Sequence, residues 1–244
     1  MIMSDIKLYN ENCMPVMQSL SDDSIDLIVT DPPYRTTSRG NAGTAGGMCQ
    51  KEHYNKGIVF EHNDIDCKEY APELYRLLKW GGHLYVMTNH VNLIHMLNTF
   101  TEVGFHFIKS LIWDKCNKIM GTFYMGQFEY ILFFRKGPGI PINNCGDSDI
   151  LTIPNIKMKR NDGTNFHDTE KPVALWDILI ANSSQENEVV LDPFMGIGGS
   201  AVSAKKLKRS YIGCEIDPTY FEVAESRVNN DVLPDKGFKT KRLF

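Results

Sequence analysis

Short apolar runs of strand length alternate with segments of helical period along most of this chain. That alternation restricts the fold more than any other feature, because strands alternating with helices pair into an open, mostly parallel sheet covered on both faces. Ile25-Asp26-Leu27-Ile28-Val29-Thr30 is rich in β-branched residues and runs into Pro32-Pro33, so it reads as a buried strand that stops there. Residues 67–79 place Tyr70, Leu74, Leu77 and Leu78 at helical spacing, with Gly81-Gly82 as the stop. Residues 84–87 form the next strand, 90–103 the next helix, and 105–113 with 128–135 an antiparallel hairpin. The spacing therefore predicts a doubly wound α/β fold.

The interval 137–166 breaks the pattern. It is rich in Gly, Pro, Asn and Asp, shows little sustained periodicity and reads as loop-rich. Regular alternation resumes after Lys171-Pro172, with helices over 172–183, 199–207 and 218–229 and strands over 189–191 and 211–214. One domain is thus expected from 1–136 and 167–230, with 137–166 as a small insertion and 231–244 as a basic tail. At 244 residues and 42% hydrophobic, the chain has enough apolar surface for one large core.

The apolar runs are too short to span a membrane, and the first residues lack the layout of a signal peptide. Six cysteines are scattered without a Cys-x-x-Cys pair, so neither a zinc site nor a disulfide framework is expected. The cysteines read as small buried hydrophobes, and a cytoplasmic setting follows. A net charge of −4 argues against a generic nucleic-acid binder. Against that average, Arg35, Arg39, Lys51 and Lys56 gather in one glycine-rich stretch, and Lys157, Lys159 and Arg160 in another.

Two constellations carry chemistry. Asp192-Pro193-Phe194-Met195-Gly196-Ile197-Gly198-Gly199-Ser200 is a strand end, a glycine-rich turn and a helix start. Such a turn lets backbone approach a ligand, and Glu215 at the end of the next strand stands where nucleotide-binding α/β folds put a ribose-binding carboxylate. An acidic residue ahead of the glycines would repel a pyrophosphate, and suits a ligand with a cationic group. The plain alternative is close packing of helix on strand. Asp31-Pro32-Pro33-Tyr34 is the second constellation, at the carboxyl end of a buried strand. Two acceptors, the Asp31 carboxylate and the Pro32 carbonyl, beside an aromatic face suit an amino group on a nucleobase. A given tetrapeptide occurs by chance in such a chain on the order of 10⁻³ times.

With these motifs in this order, the sequence resembles the S-adenosylmethionine-dependent DNA amino-methyltransferases, which modify adenine N6 or cytosine N4. It resembles in particular the permuted beta arrangement, in which the catalytic half precedes the cofactor half. His167-Asp168-Thr169-Glu170-Lys171-Pro172 matches that group's His-x-Thr-x-Lys-Pro element, and Glu215-Ile216-Asp217-Pro218 is a further match.

The resemblance implies a Rossmann-like fold and the following roles. Asp31 and Pro32 hold the target amino group, Pro33 completes the rigid turn, and Tyr34 stacks on a flipped base. Asn12, Asp31, His167, Thr169, Lys171, Asp192, Phe194, Gly196, Gly198, Ser200, Glu215 and Asp217 surround S-adenosylmethionine. Asn12 stands where relatives show Asp, and Gly199-Ser200 replaces a more usual Gly-Thr. Residues 137–166 read target sequence, and double-stranded DNA meets Arg35, Arg39, Lys51, Lys56, Lys157, Lys159 and Arg160. No metal is required, because the sulfonium methyl is already electrophilic. A Pro-Cys nucleophile for ring-carbon methylation is absent. Adenine N6 is the expected target, since cytosine-N4 relatives more often carry Ser in place of Asp31. An RNA or protein-amide substrate and a non-catalytic binding module are the other readings. A homodimer and a cognate restriction endonuclease are the further partners the resemblance implies.

Overall fold

The structure is a computed structural model that describes residues 5–33, 65–119, 123–159, 163, 165–167 and 169–229. Tyr34, Arg35, Arg39, Lys51, Lys56, Arg160 and the tail 231–244 lie outside the described residues.

Eight strands form one sheet: β1 (Ile6–Tyr9), β2 (Ile25–Thr30), β3 (Leu78–Thr88), β4 (His106–Ile119), β5 (Gly126–Arg135), β6 (Ile150–Thr152), β7 (Val189–Asp192) and β8 (Ser210–Cys214). Their spatial order is β1-β8-β7-β2-β3-β5-β4-β6. The run from β1 to β3 is parallel, β5 is antiparallel to both β3 and β4, and β6 returns parallel to β4. The helices are α1 (Cys13–Ser19), α2 (Cys67–Leu77), α3 (Leu93–Val103), α4 (Val173–Ser183), α5 (Gly199–Lys206) and α6 (Pro218–Asn229).

Strand alternation sorts the core into two layers. Ile28, Leu84, Val86, Leu132, Phe134 and Leu191 pack on one face with α1, α2 and α3. Leu27, Val29, Tyr85, Met87, Ile131, Phe133 and Val190 pack on the other with α4, α5 and α6. Apolar residues at both parities explain why the central strands read as continuous hydrophobic runs. Helix α2 begins with a reciprocal cap: Lys68 N–H donates to Asp66 Oδ1 and Asp66 N–H to Glu69 Oε1, both at 2.9 Å.

The structure corrects three expectations. Gly81 and Gly82 do not stop a helix; α2 ends at Leu77 and the glycines lie inside β3. There Gly81 has φ of 90° and its N–H donates to the Lys136 carbonyl, a kink that a side chain would resist. The interval 137–166 is not all loop, because β6 adds an edge strand to the sheet. It is also fastened to the end of α4, where Asn143 Nδ2 donates to the carbonyls of Ala181 and Ser184 at 2.7 and 2.9 Å. Finally, Cys13, Cys67 and Cys214 are buried, but Cys116 and Cys145 are exposed. No helix among the described residues is long and apolar enough to cross a membrane.

Candidate active site

Strands β2 and β7 are parallel neighbours, paired Leu27 to Val190 and Ile28 to Leu191, so their carboxyl ends lie side by side. Each ends in Asp-Pro, and each aspartate has a different set of partners. Beyond Thr30, Asp31 is partly buried with Oδ2 held by the Lys171 ammonium. Its other oxygen, Oδ1, is buried with no hydrogen-bond partner among the described residues. A buried carboxylate oxygen without a donor is uncommon and costly, and no donor for this atom lies among the described residues. Burial pushes the Asp31 carboxyl above the usual carboxylate range, and the Lys171 charge pulls against that shift. Pro32 is buried and Pro33 half-buried beside it.

Asp192 is satisfied on both oxygens. Oδ1 accepts from the Phe194 N–H at 3.1 Å and Oδ2 from the Ser200 hydroxyl at 2.6 Å. Ser200 lies 2.8 Å from the Tyr211 hydroxyl and is buried, so it holds Asp192 from inside the core and does not reach an open face. Burial raises the Asp192 carboxyl to about 7, with the Asp31 charge adding to the rise.

The turn after Asp192 divides its glycines between packing and access. A Cβ on Gly198 would sit 2.9 Å from the Ala224 side chain, so this glycine seats α5 against α6. Among the described residues, a Cβ on Gly196 would meet only His167 Nε2, at 3.9 Å. Both have positive φ, 54° and 75°. His167 packs edge-on against Tyr220 with ring centroids 4.3 Å apart, and its Nδ1 accepts from the Thr169 N–H at 3.2 Å. Phe194 meets Tyr70 edge-on at 5.1 Å.

Glu215 follows β8, and burial raises its carboxyl while the Asp217 N–H, donating to Oε1 at 2.8 Å, opposes the rise. Asp217 and Asn12 both act as helix caps. Asp217 Oδ1 accepts from Thr219 N–H at 2.8 Å, and Asn12 Oδ1 accepts from Met14 N–H at 2.9 Å.

The structure thus gathers Asp31, Lys171, Asp192, Phe194, Gly196, His167 and Glu215 around one end of the sheet. Lys159 is exposed and Lys157 half-buried on the segment leading to His167. Four further residues escaped sequence reasoning. Glu129 Oε2 lies 3.5 Å from Lys171 Nζ, and Lys115 Nζ donates to Glu129 Oε1 at 3.1 Å. Arg227 donates to the Ile197 carbonyl at 2.8 Å and pairs with Glu170 at 3.0 Å, tying the glycine turn to the segment before α4. A buried charge inside a strand is the only sequence signal for Lys115 and Glu129, and it names no mate.

A doubly covered α/β sheet with a glycine turn and strand-end carboxylates at adjoining strand tips defines a methyltransferase-type fold. The chain belongs to the DNA methylase family of N6 and N4 amino-methyltransferases, whose model matches residues 25–226. It is similar to the type II methyltransferase M.HinfI of Haemophilus influenzae, 28% identical over 244 residues that cover 89% of this chain and 66% of that protein. It therefore spans just under two thirds of M.HinfI. The type II methyltransferase M.HpaI of Haemophilus parainfluenzae is 29% identical over 249 residues, covering 93% of this chain and 75% of that protein. The crystal structure of the M1.HpyAVI–SAM complex has the same fold, with a TM-score of 0.65 at 22% identity, covering 91% of this chain and 99% of that one.

Proposed function

We propose that this chain is a site-specific DNA adenine methyltransferase, moving a methyl group from S-adenosylmethionine to the exocyclic N6 of a flipped adenine in double-stranded DNA. The observation that carries the reading is the buried Oδ1 of Asp31, which has no hydrogen-bond partner among the described residues. An amino group supplies the missing donor, and family membership makes a base amino group its natural source.

The residues fit the methyl donor. Gly196, without a side chain, would let a ligand come close to backbone, and Glu215 offers a carboxylate to ribose hydroxyls. Asp192 lies at the same end of the sheet, and in its ionised form its charge would favour a methionine ammonium group. The cofactor brings an electrophilic sulfonium methyl. Asp31 and the Pro32 carbonyl would accept hydrogen bonds from the two amino N–H groups, turning the nitrogen lone pair out of conjugation and toward that methyl. Positive charge would grow on the nitrogen as its bond to the methyl forms and the sulfur–methyl bond breaks, with the thioether S-adenosylhomocysteine leaving; the fixed acceptors would stabilise that charge, and the surplus amino proton would pass toward Asp31 Oδ1. Tyr34 stacks on the extruded base, and the segment 137–166, with Lys157, Lys159 and Arg160, reads the flanking sequence.

Asp31 in the first motif position supports adenine over cytosine. Long-read sequencing of DNA from cells expressing the chain tests this directly, since it yields the modified atom and its sequence context. N6-methyladenine in one recurring context is expected; N4-methylcytosine, or no modified base, overturns the reading. A second copy of the chain and a cognate restriction endonuclease are the partners proposed with it, and co-purification tests both.

A further inference from the structure

Across the end of the sheet from Asp31 runs a line of alternating charges that the reaction as described does not use. Lys171 Nζ reaches Asp31 on one side and Glu129 Oε2 on the other. Glu129 Oε1 accepts from Lys115 Nζ. All four side chains are largely covered, the lysines 6% and 8% exposed and the carboxylates 19%. Glu129 on β5 and Lys115 on β4 follow the same alternation as Ile131 and Trp113, so both point to the face that bears α4. Lys115 lies where β4 departs from regular pairing after Asp114, with Cys116 at φ of 59°. A bulge of this kind re-aims a side chain, here into the buried cluster.

Two buried ion pairs set end to end are a poor source of stability, because desolvation offsets most of their attraction. Their geometry serves a different end. Lys171 Nζ also donates to the Thr169 carbonyl at 3.2 Å, and the Glu129 carboxylate at 3.5 Å adds a second opposite charge that narrows the directions it can take. We infer that Glu129 and Lys115 are positioning residues that act through Lys171 to hold the Asp31 carboxylate in one orientation, with Oδ1 turned to the substrate amino group. The inference rests on the reading of Asp31 as the amino-group acceptor.

Among the described residues, the charged and titratable groups that face Asp31 are Lys171, Glu129, Lys115, Asp192 on β7 and Tyr70 on α2. Burial raises Asp31; the nearby Lys171 and Lys115 charges lower it, and Glu129 raises it. Burial also pushes Glu129 up, but Lys171 and Lys115 outweigh that and leave it lowered, hence ionised. The two outer residues therefore act on Asp31 with opposite signs.

The test is a set of pH–rate profiles under saturating DNA and S-adenosylmethionine for Glu129→Gln, Lys115→Met and the double variant, with thermal unfolding as a check of folding. Both single variants should lose roughly 10-fold or more in kcat, with KM for either substrate changed less than about 3-fold. The acid limb of kcat should move to lower pH in Glu129→Gln, where a negative neighbour is lost, and to higher pH in Lys115→Met, where a positive one is lost. In the double variant the limb should return toward the wild-type position while kcat stays low. If a single variant fails to fold, the double variant, which leaves no unpaired buried charge, carries the test. Wild-type kcat in the variants, or limbs that do not move in opposite directions, overturns the inference. Asp31→Asn separates the two levels. If it keeps wild-type turnover, the reading of Asp31 itself is wrong; if it is inactive while Glu129→Gln and Lys115→Met behave as wild type, only the positioning role fails.

Discussion

Two strand tips with the same local sequence, Asp31-Pro32 after β2 and Asp192-Pro193 after β7, end up in different chemical states although they are neighbours in the sheet. Asp192 spends both oxygens on its own turn, taking the Phe194 N–H and the Ser200 hydroxyl. Asp31 gives one oxygen to a lysine and leaves the other with no donor among the described residues. On the proposed reading, Asp192 shapes the turn while Asp31 keeps one oxygen for a ligand. A motif read as "acid at a strand end" does not distinguish the two, and the hydrogen-bond inventory does.

The largest expected effect comes from removing the acceptor side of this contrast. Asp31→Ala should lower turnover at least about 100-fold while circular dichroism stays native, because an oriented transition-state acceptor is lost. Wild-type turnover in a labelled-methyl assay would make both aspartates structural and erase the contrast.

Asp192 should announce itself in stability. Its folded pKa, about 7, lies above the unfolded value, so the folded state holds an extra proton between the two. Stability from this group is full at low pH, falls as pH rises toward 7 and levels off above. Compared with Asp192→Asn, the wild type should lose about 2 kcal/mol of unfolding free energy between pH 5 and 7. Urea titrations of both proteins at several pH values measure it, and a difference independent of pH would contradict the assignment.

Glu215→Ala sharpens the binding side, with S-adenosylmethionine affinity weakened by about 1–3 kcal/mol in calorimetry. An unchanged affinity moves the ribose elsewhere. The smallest effect expected at the cofactor is none at all, from Lys157, Lys159 and Arg160 changed together to Ala. The log–log salt slope of DNA binding should flatten by up to about 3 units, roughly one per lost phosphate contact, with cofactor affinity unaltered. Unchanged DNA affinity and slope would place target recognition outside 137–166.

What could be read in advance was local. The Asp-Pro-Pro-Tyr and glycine-turn motifs work through consecutive residues, and strand and helix periods show within a few positions. The Lys171–Asp31 pair joins residues 140 positions apart, and Glu129 reaches it only because β5 turns back against β3. Nothing local marks such a pairing. Strand β6 was missed because three residues show no period, and Gly81-Gly82 misled because a glycine pair fits a helix stop and a strand kink equally well.

Strand order has a consequence for how the molecule comes into being. β7 and β8 wedge between β1 and β2, and each core layer draws residues from both ends of the described chain. While a ribosome has released only the segment through β6, β1 has no neighbour to join and β2 lacks one flank. Apolar edges stay open until the last strands emerge, and closing them means joining segments far apart along the chain, a slow kind of ordering. The sheet therefore cannot close until β7 and β8 have joined it, and the early and late segments of the described chain depend on each other for one core.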